Sequence, residues 1–272
     1  MFKTFGRYSH AIVSRVPSSF VTAIGSSDCV NLQEARREHS EYTKILRSLG
    51  LDVIELPADE NFPDSPFVED TVVVCNGNAL ICKPGHPARA KEVETIRTVI
   101  KKELNLPMYE ITDQRASLDG GDVLFTGREF FVGISNRTNE RGAMELASAF
   151  PEYPVTPIRV PTKFLHLKSC VTMAGPDILC ISSSPEARDV LKKIEREASF
   201  RYATITVPDD DAANVIFVNG TLIYRSEFPR SRETIEKRVD FPKIPLKIWE
   251  LSKPQASLSC LSVLIHRSRR LN

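Results

Sequence analysis

Short apolar strands recur along this chain at a nearly constant interval, and that recurrence constrains the fold more than any single motif does. ALIC (79–82), FFVG (130–133), ILCI (178–181), LIYR (222–225) and SVLI (262–265) begin 51, 48, 44 and 40 residues apart. Most precede a polar connection and then a charged stretch: ARAKEVETIRTVIKKEL, NERGAMELASAF, SPEARDVLKKIEREASF and SRETIEKRVDF. These stretches carry apolar residues three or four apart, the spacing of an amphipathic helix. A period in the forties signals repeated supersecondary units rather than one open doubly wound sheet. No helix follows the fifth strand, but the early strand HAIVSRV and the helix-like stretch 32–49 can complete its unit and close the array. The pattern predicts an α/β fold of five strand–helix blades around a pseudo-fivefold axis. Closure also explains why neither end shows a polar capping repeat. Pro and Gly are spread through turns without a low-complexity linker, so a single domain over 1–272 is expected.

Composition narrows the partners. The chain has 36 basic and 35 acidic side chains, a formal charge of +1. A nucleic-acid or anionic-membrane surface needs a surplus of Lys and Arg, so neither partner is expected. No apolar run approaches the roughly 18 residues of a membrane span, and MFKTFGRYSH lacks the apolar core of a secretory signal. A cytoplasmic location is the expectation. Cys29, Cys75, Cys82, Cys170, Cys180 and Cys260 form no C-x-x-C pair, which argues against a zinc knuckle or a thioredoxin-type site. Cys75, Cys82 and Cys180 lie in apolar runs and read as buried thiols. With no GxGxxG and no P-loop, no cofactor and no metal are expected. The basic end, Arg267 to Arg270, reads as a solvated tail.

Polar residues recur with the strands. Ahead of the paired strands stand PFVED (66–70), SLDGGD (117–122), FLHLKS (164–169), DDDAAN (209–214) and SLSC (257–260). Asp70, Asp119, His166, Asn214 and Cys260 follow one another at steps of 49, 47, 48 and 46 residues. Such steps predict equivalent places in successive units, and in a closed ring those places converge on one end of the axis. Taken singly, each residue has an ordinary reading: a core thiol, a core histidine, a turn aspartate ahead of Gly120-Gly121. Asn214 with Asp209–Asp211 reads as a turn held by side-chain-to-backbone bonds. Taken together, Cys260, His166, Asp119, Glu69 and Asp70 make a Cys–His–carboxylate set beside a cation-binding pair.

Five segments, in order, resemble the dimethylarginine dimethylaminohydrolases of the pentein, or guanidino-group-modifying, superfamily. They are ELPADENFPDSPFVED (55–70), SLDGGDVLFTGREFFVGISNRTN (117–139), LHLKS (165–169), TVPDDDAAN (206–214) and LSCLSVLI (258–265). The resemblance covers nearly the whole chain and implies a five-bladed propeller of ββαβ repeats around a central active-site cavity. It implies hydrolysis of Nω-methylated arginines to citrulline and an amine, through a covalent thiouronium adduct, by a monomer or weak homodimer. Cys260 matches the nucleophile, His166 the general acid/base, and Asp119 the carboxylate that orients it. Glu69 and Asp70 match the acids that hold the guanidinium, and Asp64 a contact to the substrate's amino-acid end. Arg89 and Arg137 match the clamp on its α-carboxylate. The resemblance implies that the carbonyl of Pro254 faces the substrate amine and that residues 20–32 stand where the family has a lid, with a contact near Ile24 or Gly25.

Two other readings share these residues. Arginine deiminases and amidinotransferases use the same chemistry, but an H-x-D acid is expected in the deiminases, and here Lys168 holds that place. Without that acid, one substrate nitrogen is expected to lack an ionic partner and so to tolerate methyl groups. A ring-shaped binding protein, like the pentein-fold ribosomal anti-association factor, would be marked by loss of the Cys–His–acid set.

Overall fold

Among the described residues, 5–26 and 29–266 of a computed structural model, fifteen strands form five three-stranded sheets. Arg267 to Arg270 lie outside them. In the first sheet β1 (His10–Ser14) leads through α1 (Leu32–Ser48) to β2 (Asp52–Leu56), which lies parallel to it. The other four run hairpin, helix, parallel strand. They are β3 (Val72–Cys75), β4 (Asn78–Ile81), α2 (Val93–Lys102) and β5 (Met108–Glu110); then β6 (Val123–Phe125), β7 (Phe130–Ile134), α3 (Glu140–Ala149) and β8 (Val155–Arg159). Next come β9 (Val171–Gly175), β10 (Ile178–Ser182), α4 (Pro185–Glu197) and β11 (Ala203–Val207). Last are β12 (Ile216–Val218), β13 (Thr221–Arg225), α5 (Pro229–Arg238) and β14 (Lys243–Leu246). Finally β15 (Val263–Ile265) pairs antiparallel with β1 and completes the first sheet from the far end of the chain.

Local chemistry explains these elements. Asn76-Gly77 and Asn219-Gly220 join two of the hairpins with all four residues at positive φ, the conformation that a two-residue turn matching the strand twist demands. Asn31 and Asn139 cap α1 and α3 by accepting from the N–H groups of Glu34 and Gly142. Ala187, Val190 and Ile194 of α4 are wholly buried with Leu179 and Ile181 of β10. Truncating Ile194, Leu179 or Ile181 to Ala costs about 2–5 kcal/mol.

The closure differs from the sequence expectation in one respect. The recurrence sets SVLI beside ALIC, FFVG, ILCI and LIYR, which are second strands of their hairpins, but β15 is a first strand, and HAIVS supplies the second. Hence its short interval of 40. The true first strands begin at residues 72, 123, 171, 216 and 263, spaced 51, 48, 45 and 47 apart.

A short 3-10 turn precedes each first strand: Val68–Thr71, Gly120–Asp122, Leu167–Ser169, Asp210–Ala213 and Leu258–Leu261. These turns contact one another in succession at one end of the first strands and form a hub. The polar residues do not occupy equivalent places on them. Asp119 and His166 are N-caps, Asp70 and Cys260 are third residues, and Asn214 is a C-cap. The near-constant steps come from the repeat; the register slips within each turn.

Candidate active site

Gly120 and Gly121 let the turns meet. A Cβ on Gly120 would lie 2.0 Å from the Glu69 carbonyl oxygen, and one on Gly121 would lie 2.5 Å from His166 Nδ1. Neither glycine is among those at positive φ. Close approach, rather than turn conformation, therefore requires them.

Cys260, His166, Asp70, Asp64, Arg89, Arg137, Ile24 and Pro254 line one small pocket at the hub. The Sγ of Cys260 accepts from the Ser257 N–H at 3.4 Å. Burial, then Glu69 and Asp70, push this thiol well above its ordinary value, against the opposing pull of Lys168. His166 Nε2 lies 3.0 Å from Asp119 Oδ2 and 3.9 Å from Asp70 Oδ1. Burial alone would depress the imidazole, but Asp70, Asp122 and Asp119 outweigh it and raise it to about 9. Asp119 is wholly buried, and its other oxygen accepts from the Gly85 N–H at 2.7 Å. Burial acts to raise Asp70, yet His166, Arg89 and the Gly121 N–H hold it at about 2. The resting pocket thus pairs a neutral thiol with an imidazolium and an ionised Asp70.

The two arginines differ. Arg89 is buried and already donates to Asp70 (2.5 Å), the Phe67 carbonyl (2.8 Å) and both oxygens of Glu92. Of its five N–H groups, one on Nη1 is left over. Arg137 is half-buried, and its charge acts on the Asp64 carboxylate. Asp64 accepts from the Ile24 N–H at 3.2 and 3.3 Å, tying the expected lid contact to the pocket wall.

Glu69 is placed differently from the sequence expectation. Its carboxylate pairs with Lys168 and accepts from Ser259 Oγ (3.0 Å). It lines a separate cavity of about 190 Å³ that runs between the first strands. A 3-10 turn has three residues per turn, so neighbours point about 120° apart. Asp70 consequently faces the pocket and Glu69 faces the axis. Lys168, expected to mark the missing acid of a deiminase, pairs with Glu69 and lines that same cavity, and both charges reach the Cys260 thiol.

Several supporting residues carried no assigned role in the sequence. Asp122 accepts from the Leu167 N–H (2.8 Å) and Ser135 Oγ (2.7 Å), anchoring the turn beside His166; burial pushes it up to about 6. Glu92, pushed up to about 7 by burial against the pull of Arg89, backs the Arg89–Asp70 pair. The last Asp of SLDGGD was a visible signal for Asp122; nothing local marks Glu92. Asp70, Asp119 and His166 also have ligand-type atoms within 4.8 Å of one another, and this is the cluster of metal-binding geometry among the described residues. Arg89, Gly121 and Gly85 already donate to its carboxylates.

The model of one family, N,N dimethylarginine dimethylhydrolase, eukaryotic, matches residues 15–217. The chain belongs to this family. It is 37% identical to DDAH2 of Homo sapiens over 275 residues, covering 96% of this chain and 95% of the relative. It also superposes, at 28% identity and a TM-score of 0.83, on the solved DDAH of Pseudomonas aeruginosa. That structure is a cysteine-to-serine variant complexed with citrulline, and the match covers 95% of this chain and all of the other. A dimethylarginine dimethylaminohydrolase solved as a histidine-to-glycine adduct with S-methyl-L-thiocitrulline gives the same score, identity and coverage. Among the described residues, no helix is long and apolar enough to cross a membrane.

Proposed function

We propose that this chain hydrolyses Nω-methylated arginines to citrulline and dimethylamine or methylamine, through a covalent adduct on Cys260. The convergence of Cys260, His166 and ionised Asp70 on one pocket carries the reading. The likeness to dimethylarginine dimethylaminohydrolases solved with citrulline and with S-methyl-L-thiocitrulline supports it.

The chemistry follows from the charges. Asp70 holds the substrate guanidinium with its carbon against Sγ, a proximity effect. That cation offsets the acids that keep the thiol protonated, so binding favours loss of the thiol proton to solvent, which later protonates the released amine, and leaves the thiolate that attacks. A C–S bond forms, and the imidazolium of His166, oriented by Asp119, protonates the departing amine as its C–N bond breaks. The cationic adduct at Asp70 then screens the field that had raised His166. The neutral imidazole takes a proton from water, the water oxygen attacks, and the C–S bond breaks to return the thiol. Arg137, with the one remaining N–H of Arg89, meets the α-carboxylate, and Asp64 and the Pro254 carbonyl face the α-amine. The catalytic step takes place in a small-molecule pocket and calls on no macromolecular partner.

Asp70 grips one edge of the guanidinium and leaves the far nitrogen free to carry methyl groups. Unmethylated arginine would instead leave two buried N–H donors unpaired there, a penalty of about 1–3 kcal/mol. The test is citrulline release from arginine, monomethylarginine and the two dimethylarginines. Monomethyl- and asymmetric dimethylarginine should turn over. Symmetric dimethylarginine, with a methyl on each terminal nitrogen, should be rejected at Asp70. Arginine turning over as fast or faster would move the chain to the deiminases.

A further inference from the structure

The turns that carry His166 and Cys260 belong to different blades, and one side chain from a third blade joins their backbones. Asn214 is wholly buried at the end of the turn Asp210–Ala213. Its Nδ2 donates to the Lys168 carbonyl at 2.8 Å and to Ser259 Oγ at 2.9 Å, and its Oδ1 accepts from the Ser259 N–H at 2.8 Å. Lys168 is two residues after His166, and Ser259 is one residue before Cys260. We propose that Asn214 is a positioning residue that sets the spacing of Cys260 and His166 by holding both turns through their main chains. The proposal rests on the roles given to those two residues above.

The partners fix the amide's orientation. A flipped amide would set its N–H groups against the Ser259 N–H and its oxygen against the Lys168 carbonyl. Ser259 Oγ spends its proton on Glu69 Oε2, at 3.0 Å, so it can only accept from Asn214. Glu69 joins the same two turns, but through the tips of the Lys168 and Ser259 side chains. Asn214 is itself held from both sides. Thr172 Oγ1, on the strand that follows the His166 turn, donates to the Ala213 carbonyl (2.7 Å) and accepts from the Val215 N–H (3.0 Å). Asp lacks the two donors, Ala lacks all three bonds, and Gln is a methylene too long for a fully buried site. Asn meets every requirement.

The consequence is kinetic. A displacement of about 1 Å between reacting groups costs on the order of 10²-fold in rate. Asn214→Ala should lower kcat for asymmetric dimethylarginine by roughly that factor. KM should stay within about threefold, because Asp64, Asp70 and Arg137 have no bond to Asn214 (threefold is under 1 kcal/mol). Alkylation of Cys260 by 2-chloroacetamidine, followed by mass spectrometry, should slow in parallel and also count the folded sites. Tyr202→Phe loses hydrogen bonds to Glu129 and Thr126 instead and should keep wild-type kcat. If Asn214→Ala fails to fold, Asn214→Asp keeps the volume and the acceptor for the Ser259 N–H but loses the donors to the Lys168 carbonyl and Ser259 Oγ, and the same fall in kcat is expected. A kcat per labelled site within threefold of wild type, in whichever variant folds, overturns the proposal. A wild-type protein that neither releases citrulline nor labels at Cys260 overturns the functional reading first, and this proposal with it.

Discussion

Three turns of the hub each send neighbouring residues to opposite sides, and the two sides are charged differently. Asp70, His166 and Cys260 face the pocket; Glu69, Lys168 and Ser259 face the axis. On the axial side one acid meets one ammonium, and the pair is closed by a hydroxyl. Around the pocket, among the described residues, the acids Asp64, Asp70, Glu92, Asp119 and Asp122 outnumber the cationic groups Arg89, Arg137 and His166. The axial side is neutral as built, and its charges bind the blades to one another. The pocket is short of positive charge until a cation enters. Substitutions on the pocket side should therefore remove activity, and those on the axial side should remove stability.

The contrast breaks first at Cys260. Cys260→Ser should cut citrulline release by at least about 10⁴-fold, as loss of a nucleophile does in other covalent enzymes, with unchanged melting temperature and retained substrate binding. A variant that melts many degrees lower would place the residue among the core cysteines. Next comes the axial pair. Lys168→Ala leaves Glu69, whose side chain is only 12% exposed, without its counter-ion and should cost about 3–5 kcal/mol in urea unfolding. Pairing Lys168→Met with Glu69→Gln should recover most of that loss. Failure of the double variant to recover would give Lys168 a role beyond neutralising Glu69.

The smallest expected effect is that of pH on stability. His166 rises from 6.5 to about 9 on folding, so the folded state binds its proton more tightly. The stability this contributes is whole below about pH 6.5 and lost as pH climbs through about 9, about 3 kcal/mol in all. Asp70 falls from 3.8 to about 2, and its contribution is present above 3.8 and lost as pH drops through about 2. Urea midpoints should decline between pH 6.5 and 9.5 in the native protein and much less in His166→Asn. Equal declines in both would assign the alkaline loss to other groups.

The period of the strands made the five blades and their closure legible, because each blade repeats the same apolar run and helix. The role of SVLI was hidden, since its hairpin partner HAIVS lies at the other end of the chain. That the turns bring Cys260, His166, Asp119 and Asp70 to one hub was also legible, because these residues recur with the repeat. Which way each one points was not. Glu69 and Asp70 are adjacent in the sequence, and only the 3-10 geometry of their turn sends them to different cavities. The reason for Gly120 and Gly121 lies in a neighbouring blade, and so do the partners of Asn214. Contacts between blades leave no local pattern to read.

The closing strand has a consequence in time. β15 follows directly on the turn that carries Cys260, and it joins the ring by pairing with β1. During synthesis the carboxylates and the imidazole leave the ribosome well before the sulfur that uses them. The strand that brings the thiol to its place is the same strand that locks the first blade. A growing chain therefore carries half of the proposed site, and the thiol joins it only as the circle is completed.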